Sequence, residues 1–268
     1  NIRKIISQDQ DSELNQTNFT QIAIFSASIV IYKTLIDEIS LETLKPQIVL
    51  GHSLGEYTAL VASNILSVSD ASKLIKSRGE LMNSAIEPNI SGMAALIGKN
   101  SDYVEKVILD NDLNVQIAND NSPMQVVISG LIKDINYSEQ IFISNGLKRY
   151  VKLNVSAAFH SKFMIEAQNK LNLIIDTLSF SEPDISIISN FNSKTSKDKN
   201  EIIISLKNQM ANKVKWTDSI RNLEKSDISE IIEIGPGKIL SGLISRISKK
   251  FDIKTIDKIE DLKQFKKT

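Results

Sequence analysis

The chain has 268 residues, room for one large domain or for a large domain with a smaller one set into it. Its 32 Lys+Arg balance 32 Asp+Glu, so it lacks the basic excess that meets nucleic-acid phosphates, and 41% hydrophobic against 24% charged residues suits a globular fold with a substantial core rather than disorder. The absence of cysteine removes disulfides, thiolate metal sites and a cysteine nucleophile, and the two histidines, His52 and His160, are the only candidates for a general-base imidazole and too few for a multi-histidine metal site.

No apolar run approaches the ~20 residues that cross a bilayer, and the first residues lack a signal peptide's apolar middle. A cytoplasmic protein with no membrane attachment is therefore expected. Residues 17–39 read as a helix whose apolar positions Ile22, Ile24, Phe25, Ala27, Ile29 and Leu35 suggest burial on most sides. After Pro46, residues 47–50 form a short apolar strand that runs into GHSLGEYTALVASNIL, where Gly51 and Gly55 bracket Ser53 and a helix begins at Leu54. Strand, tight turn and helix are the context a G-x-S-x-G motif needs.

A further helix over 70–86 follows Ser69, read as its N-cap, with an apolar stripe of Ala71, Leu74, Ile75, Met82 and Ala85. Arg78 falls on that stripe. Residues 91–154 change to short pieces in the order βαββαβ, a ferredoxin-like subdomain inserted in an α/β chain. The predicted domains are thus 1–90 with 155–268, and 91–154. Beyond the insert, Ser161 is read as the cap of a helix, 185–189 as a strand, 192–200 as an exposed loop, 201–212 and 216–224 as helices, 230–234 as a strand leading into a GPG turn, 238–249 as a helix, and 251–268 as a peripheral strand with a frayed tail.

Ser53 at a strand-to-helix turn has its hydroxyl pushed out at the sheet edge, with the Leu54 amide at the helix N-terminus able to donate to an oxyanion. Such a serine needs a base. His52 is adjacent, and side chains of neighbours in a tight turn diverge, so His160 is the better candidate, projecting from the end of the sheet after the stretch SAAF. A guanidinium on a buried face costs several kcal/mol unless paired, so Arg78 calls either for a protein carboxylate or for the carboxylate of a ligand, and Gly79 beside it would leave space for close approach. Together the three residues suggest acyl transfer of a substrate that carries a free carboxylate.

These motifs, with SRGELM, NDNSPMQVVISG, AAFHSKFM, NQMANKVKW and EIGPGKILSGL in the same order, resemble malonyl-CoA:acyl-carrier-protein transacylases, the acyltransferases of fatty-acid and polyketide synthesis. The resemblance implies an α/β-hydrolase-like large domain with the inserted ferredoxin-like subdomain. It also implies that Ser53 is malonylated, that His160 is its base, and that Arg78 clamps the malonyl carboxylate. Leu54 would supply half of the oxyanion hole. Gln209 matches the residue whose carbonyl holds the histidine, while His52 and Asn121 match positions lining the pocket. Phe159 in AFH resembles the malonyl-specific rather than the methylmalonyl-specific class. The implied substrates are malonyl-CoA and an acyl carrier protein bearing phosphopantetheine, with no resident cofactor and no metal, in a monomer or a domain of a larger synthase. Lys162 and Lys148 are candidates for a basic face toward an acidic carrier.

Two departures stand out. The family's first strand and F-P-G-Q-G-S-Q loop, which supply the second oxyanion donor, are missing from these residues, trimming or truncation being the expected cause. Lys213 replaces the usual proline of N-P-V-x-W. The competing readings are a serine esterase or thioesterase, which needs an acidic partner such as Asp110, Asp112, Asp120 or Asp134, all expected to be solvated, and a non-catalytic homologue that only binds carrier protein.

Overall fold

The computed structural model describes residues 2–8, 14 and 16–265. In chain order its elements are α1 (Ile2–Gln8), α2 (Thr17–Ile39), α3 (Leu41–Leu44), β1 (Ile48–Leu50), α4 (Leu54–Ala62), α5 (Val68–Ser84), β2 (Ser91–Ile97), α6 (Ser101–Asp110), β3 (Val115–Ser122), β4 (Gln125–Leu131), α7 (Ile132–Ser144) and β5 (Arg149–Lys152). They continue with α8 (Ile165–Ile175), β6 (Ser186–Ile188), β7 (Thr195–Ser196), α9 (Lys199–Lys207), α10 (Trp216–Glu224), β8 (Glu230–Ile234), α11 (Ile239–Ile247) and β9 (Asp252–Ile256), with short 3-10 turns at Lys162–Met164 and Ile259–Gln264.

The large part rests on two small sheets. In one, β1 pairs in parallel with β6, and β7 closes antiparallel on β6; in the other, β8 pairs in parallel with β9. Among the described residues the second edge of β1 has no strand partner. Helices α2, α4, α5 and α8 surround a core that includes Phe25, Tyr57, Leu60, Leu74, Ile75 and Ile187. A second core joins Trp216 and Ile220 of α10 to Leu243 and Ile244 of α11 and to Ile188.

The inserted part is a four-stranded antiparallel sheet in the order β3-β4-β2-β5. Alternation along β2 sends Ala94 and Leu96 toward α6 and α7, where they meet Val104, Ile135 and Phe142, while Met93 and Ala95 face Val155 and Phe159 on the other side. The sheet is therefore buried on both faces. Its edge strand β3 also continues into the large part, because Val214 N donates to Ala118 O and Asp120 N to Val214 O. Asp120 is buried there, accepting from Thr217 Oγ1 at 2.6 Å, and its burial raises its carboxyl pKa.

Several sequence expectations are corrected. Helix α2 is long and apolar enough to span a bilayer, which a run-by-run reading misses because Ser and Gln interrupt it; Phe25, Ile29 and Leu35 are buried in the protein, while Ile24 and Val30 are exposed, so it is not buried on most sides. The N-cap of α5 is Ser67, whose Oγ accepts from Asp70 N, rather than Ser69. Ser161 caps nothing: its hydroxyl donates to Ala158 O. The stretch 192–200 is a hairpin edge, β7, followed by Asp198 capping α9 through the Asn200 and Glu201 amides. Asp120 is not solvated. At the other end the expected strand is present as β9, whereas the stretch after it is not frayed as far as residue 265, since Leu262 is buried in the Ile259–Gln264 turn; residues 266–268 of the expected tail lie outside the described residues.

Candidate active site

Ser53 occupies the turn between β1 and α4 with φ 51° and ψ −102°, a left-handed conformation that a non-glycine residue holds only when its surroundings enforce it. Two bonds from Asn190 do so: its Nδ2 donates to Gly51 O at 2.7 Å and its Oδ1 accepts from Ser53 N at 2.6 Å. The amides of Gly55 and Glu56 turn back to His52 O and Ser53 O, and the Leu54 amide between them has no backbone acceptor among the described residues.

The two glycines of the motif differ in kind. A Cβ on Gly51 would lie 2.0 Å from Gly55 C, inside the backbone of the turn, whereas a Cβ on Gly55 would meet nothing within 4 Å. Gly51→Ala is accordingly expected to cost at least 1–3 kcal/mol, roughly the range for overpacking, and Gly55→Ala to leave stability unchanged or raise it by about 0.5–1 kcal/mol. Urea unfolding of both variants checks this, and equal stabilities would refute the close-approach reading.

His160 also has a positive φ, 54°. The segment before it is pinned to the inserted sheet: Ala158 N donates to Ser91 Oγ, and Ser129 Oγ donates to Phe159 O at 2.6 Å. His160 Nδ1 lies 3.1 Å from Gln209 O, an acceptor only, so Nδ1 carries the proton. Its Nε2 is then unprotonated and accepts from Ser53 Oγ at 2.8 Å. Burial, reinforced by the Arg78 charge, pushes its pKa down to about 3, which keeps it neutral.

Arg78 is 1% exposed on the inner face of α5. Nη2 donates to Ser53 Oγ at 3.0 Å and to Gln209 Oε1 at 3.2 Å, Nη1 donates to Gln21 Oε1 at 2.5 Å, and the guanidinium carbon sits 5.1 Å from the centroid of the Tyr57 ring. Among the described residues no carboxylate forms an ion pair with it. Of the two partners that the sequence left open, the protein carboxylate is thus not there. Gly79 serves α2 rather than a ligand, since a Cβ on it would lie 2.9 Å from Asn18 Cα.

The remaining residues singled out in the sequence are spread around this centre. His52 Nε2 donates to Asn121 Oδ1 at 2.8 Å, its ring lies edge-on to Trp216, and burial lowers its pKa. Leu54 heads α4, and Phe159 is half-buried against both the large core and the inserted sheet. Gln209 donates from Nε2 to Ser53 O and to Glu56 Oε2, each at 2.8 Å. None of Asp110, Asp112, Asp120 or Asp134 bonds to His160, whose second nitrogen is held by a main-chain carbonyl instead. No cluster of three or more metal-ligating side chains occurs among the described residues.

Sequence reasoning missed Asn190, Glu56, Gln21, Ser91 and Ser129. Glu56 is fully buried, and desolvation pushes its carboxyl up to about 7. Its one local signal was an acidic side chain in the middle of an apolar helix start, in GEYTAL.

Residues 1–264 match the family described as "Acyl transferase domain". The chain belongs to the acyl transferase family. Among its relatives, the polyketide-biosynthesis malonyl CoA-acyl carrier protein transacylase PksC of Bacillus subtilis (strain 168) is 38% identical over 252 residues, covering 92% of this chain and 84% of that protein. The crystal structure of an acyl-carrier-protein S-malonyltransferase from Burkholderia pseudomallei 1710b superposes with a TM-score of 0.94 at 33% identity, over 100% of this chain and 87% of that one. A malonyl-transacylase solved in complex with its type II polyketide-synthase acyl-carrier protein superposes with a TM-score of 0.91 at 29% identity, over 98% of this chain and 85% of that one. The acyltransferase fold, a mixed α/β large part with an inserted antiparallel sheet, is thus the one built here.

Proposed function

We propose that this acyltransferase moves a malonyl group from malonyl-CoA to the phosphopantetheine thiol of an acyl carrier protein through a malonyl ester on Ser53. The observation that carries the reading is the placement of one hydroxyl, Ser53 Oγ, between a neutral imidazole nitrogen at 2.8 Å and an arginine without a carboxylate partner at 3.0 Å.

In the first half-reaction Ser53 Oγ attacks the thioester carbonyl while its proton passes to His160 Nε2. The tetrahedral oxyanion is received by the Leu54 amide. Collapse breaks the carbon–sulfur bond, and the departing CoA sulfur takes the proton from His160. In the second half the carrier thiol gives its proton to His160 and attacks the ester, and Ser53 recovers its proton as it leaves. Arg78 holds the malonyl carboxylate throughout, with Gln209 and Gln21 fixing the fork. The cycle closes with one thioester donor and one thiol acceptor, releases CoA as its thiol, and calls for no resident cofactor. Phe159, beside His160, restricts space at the substrate α-carbon and favours malonyl over methylmalonyl, a one-methyl discrimination of about 1–3 kcal/mol. Exposed Lys162 and Lys148 offer positive charge to an acidic carrier. The pathway is fatty-acid or polyketide synthesis in the cytoplasm.

Incubation with radiolabelled malonyl-CoA tests the reading. Stable label should appear on the protein, be absent in Ser53→Ala, and move to added holo carrier protein. Rapid release as free malonate would point to a hydrolase, and no label at all would point to a binding-only homologue.

A further inference from the structure

Glu56 is a carboxyl group with 0% exposure, its side-chain hydrogen bonds go to neither Ser53 nor His160, and it makes no ion pair among the described residues. Burying such a group costs free energy that a leucine at the same place would not incur. Its hydrogen bonds show where that cost is offset. Oε2 accepts from Asn190 N at 3.2 Å and from Gln209 Nε2 at 2.8 Å. These two residues touch every working part of the site. Asn190 spans the nucleophile turn from Gly51 O to Ser53 N. Gln209 bonds Ser53 through its side chain, Arg78 through Oε1 and His160 through its main-chain oxygen.

We propose that Glu56 is a positioning residue, which fixes Asn190 and Gln209 from within α4 and thereby holds the serine turn, the imidazole and the arginine in one register. It acts through those two residues and not on the reacting atoms. For the identity of the acyl group the proposal rests on the transfer reading above; for the activation of Ser53 it does not.

A serine-directed fluorophosphonate probe separates the two, because it reports Ser53 reactivity whatever the natural acyl donor. Inactivation by the probe is followed in wild type, Glu56→Gln and Glu56→Ala, with the folded fraction of each measured by circular dichroism. Glutamine keeps an oxygen that can accept from both donors, and it should react within about threefold of wild type. Alanine leaves two buried donors unsatisfied and should slow inactivation by about 10- to 100-fold. The loss should fall in the maximal rate rather than in the half-saturating probe concentration. The proposal is overturned by a Glu56→Ala protein that reacts as fast as wild type, by equal slowing in both variants, by a loss that equals the unfolded fraction, or by a wild type inert to the probe. A wild type that reacts with the probe yet takes no label from malonyl-CoA sinks the transfer reading and leaves the role of Glu56 intact.

Discussion

Exchange of His160 for alanine is expected to slow acylation of Ser53 by about 100- to 10,000-fold, the usual worth of a positioned general base. The expectation follows from the tautomer. Gln209 O fixes the proton on Nδ1, so Nε2 faces Ser53 Oγ with its lone pair free, and it is the one imidazole nitrogen hydrogen-bonded to that hydroxyl among the described residues. The pH dependence has a defined sign. The imidazole must be neutral to act, and burial with the Arg78 charge holds its pKa near 3 in the free enzyme against 6.5 for an ordinary histidine. The plot of kcat/KM against pH therefore should not fall through pH 6.5 on account of His160; the loss of base should come at far lower pH. Glu56, held near 7, titrates within the window, so the profile is compared with that of Glu56→Gln. A step near 6.5 present in both proteins would show that the imidazole is not desolvated as the structure has it. Binding of the malonyl carboxylate at Arg78 offsets the nearby positive charge, so the corresponding limb in kcat should lie higher than in kcat/KM.

Arg78→Ala should convert a malonyl-selective protein into one that accepts acetyl-CoA comparably. In the wild type the guanidinium has amide oxygens and a hydroxyl in contact with it and no carboxylate in ion-pair reach among the described residues, so a substrate carboxylate would be the anion that it bonds directly. Losing one member of a buried charged pair costs about 2–5 kcal/mol, roughly 30- to several-thousand-fold in malonyl loading. Acetyl loading has no carboxylate to lose and should change far less. Arg78→Lys should restore charge but little selectivity, since a point charge cannot reproduce a fork held on both sides by Gln21 and Gln209. Loading rates with both donors, measured at equal folded fraction, decide the matter. Unchanged malonyl-to-acetyl preference in Arg78→Ala would remove the clamp from the mechanism.

The residues proposed to bear the chemistry are marked locally in the sequence, whereas most of those that hold them are not. Ser53 sat in a strand–turn–helix pattern, Arg78 broke an apolar stripe, and a chain with two histidines leaves little choice of base. Asn190 carries no such mark and Glu56 only its acidic side chain in an apolar helix start, because their partners lie 134 to 153 residues away in sequence and come together only in the folded chain. Asp120 shows the same limit from the other side. A lone aspartate on an edge strand reads as solvated until Thr217 of a distant helix closes over it. The inserted sheet was legible because its alternation and turn spacing are local properties. Serine caps were less so: Ser67, Ser69 and Ser161 are alike as sequence, and only Ser67 accepts from the helix amide three residues on.

The hydrogen bonds that carry β3 across into residues 214–217 bear on how such enzymes can be recombined. A graft that exchanged 91–152 alone between two acyltransferases would leave Ala118, Asp120, Val214 and Thr217 from different parents to re-form one seam. The unit of exchange is therefore discontinuous: the insert together with the stretch through Thr217 that stitches it down. A chimera cut at those two places should keep Asn121 opposite His52, where one cut at the insert's ends puts that pairing at risk.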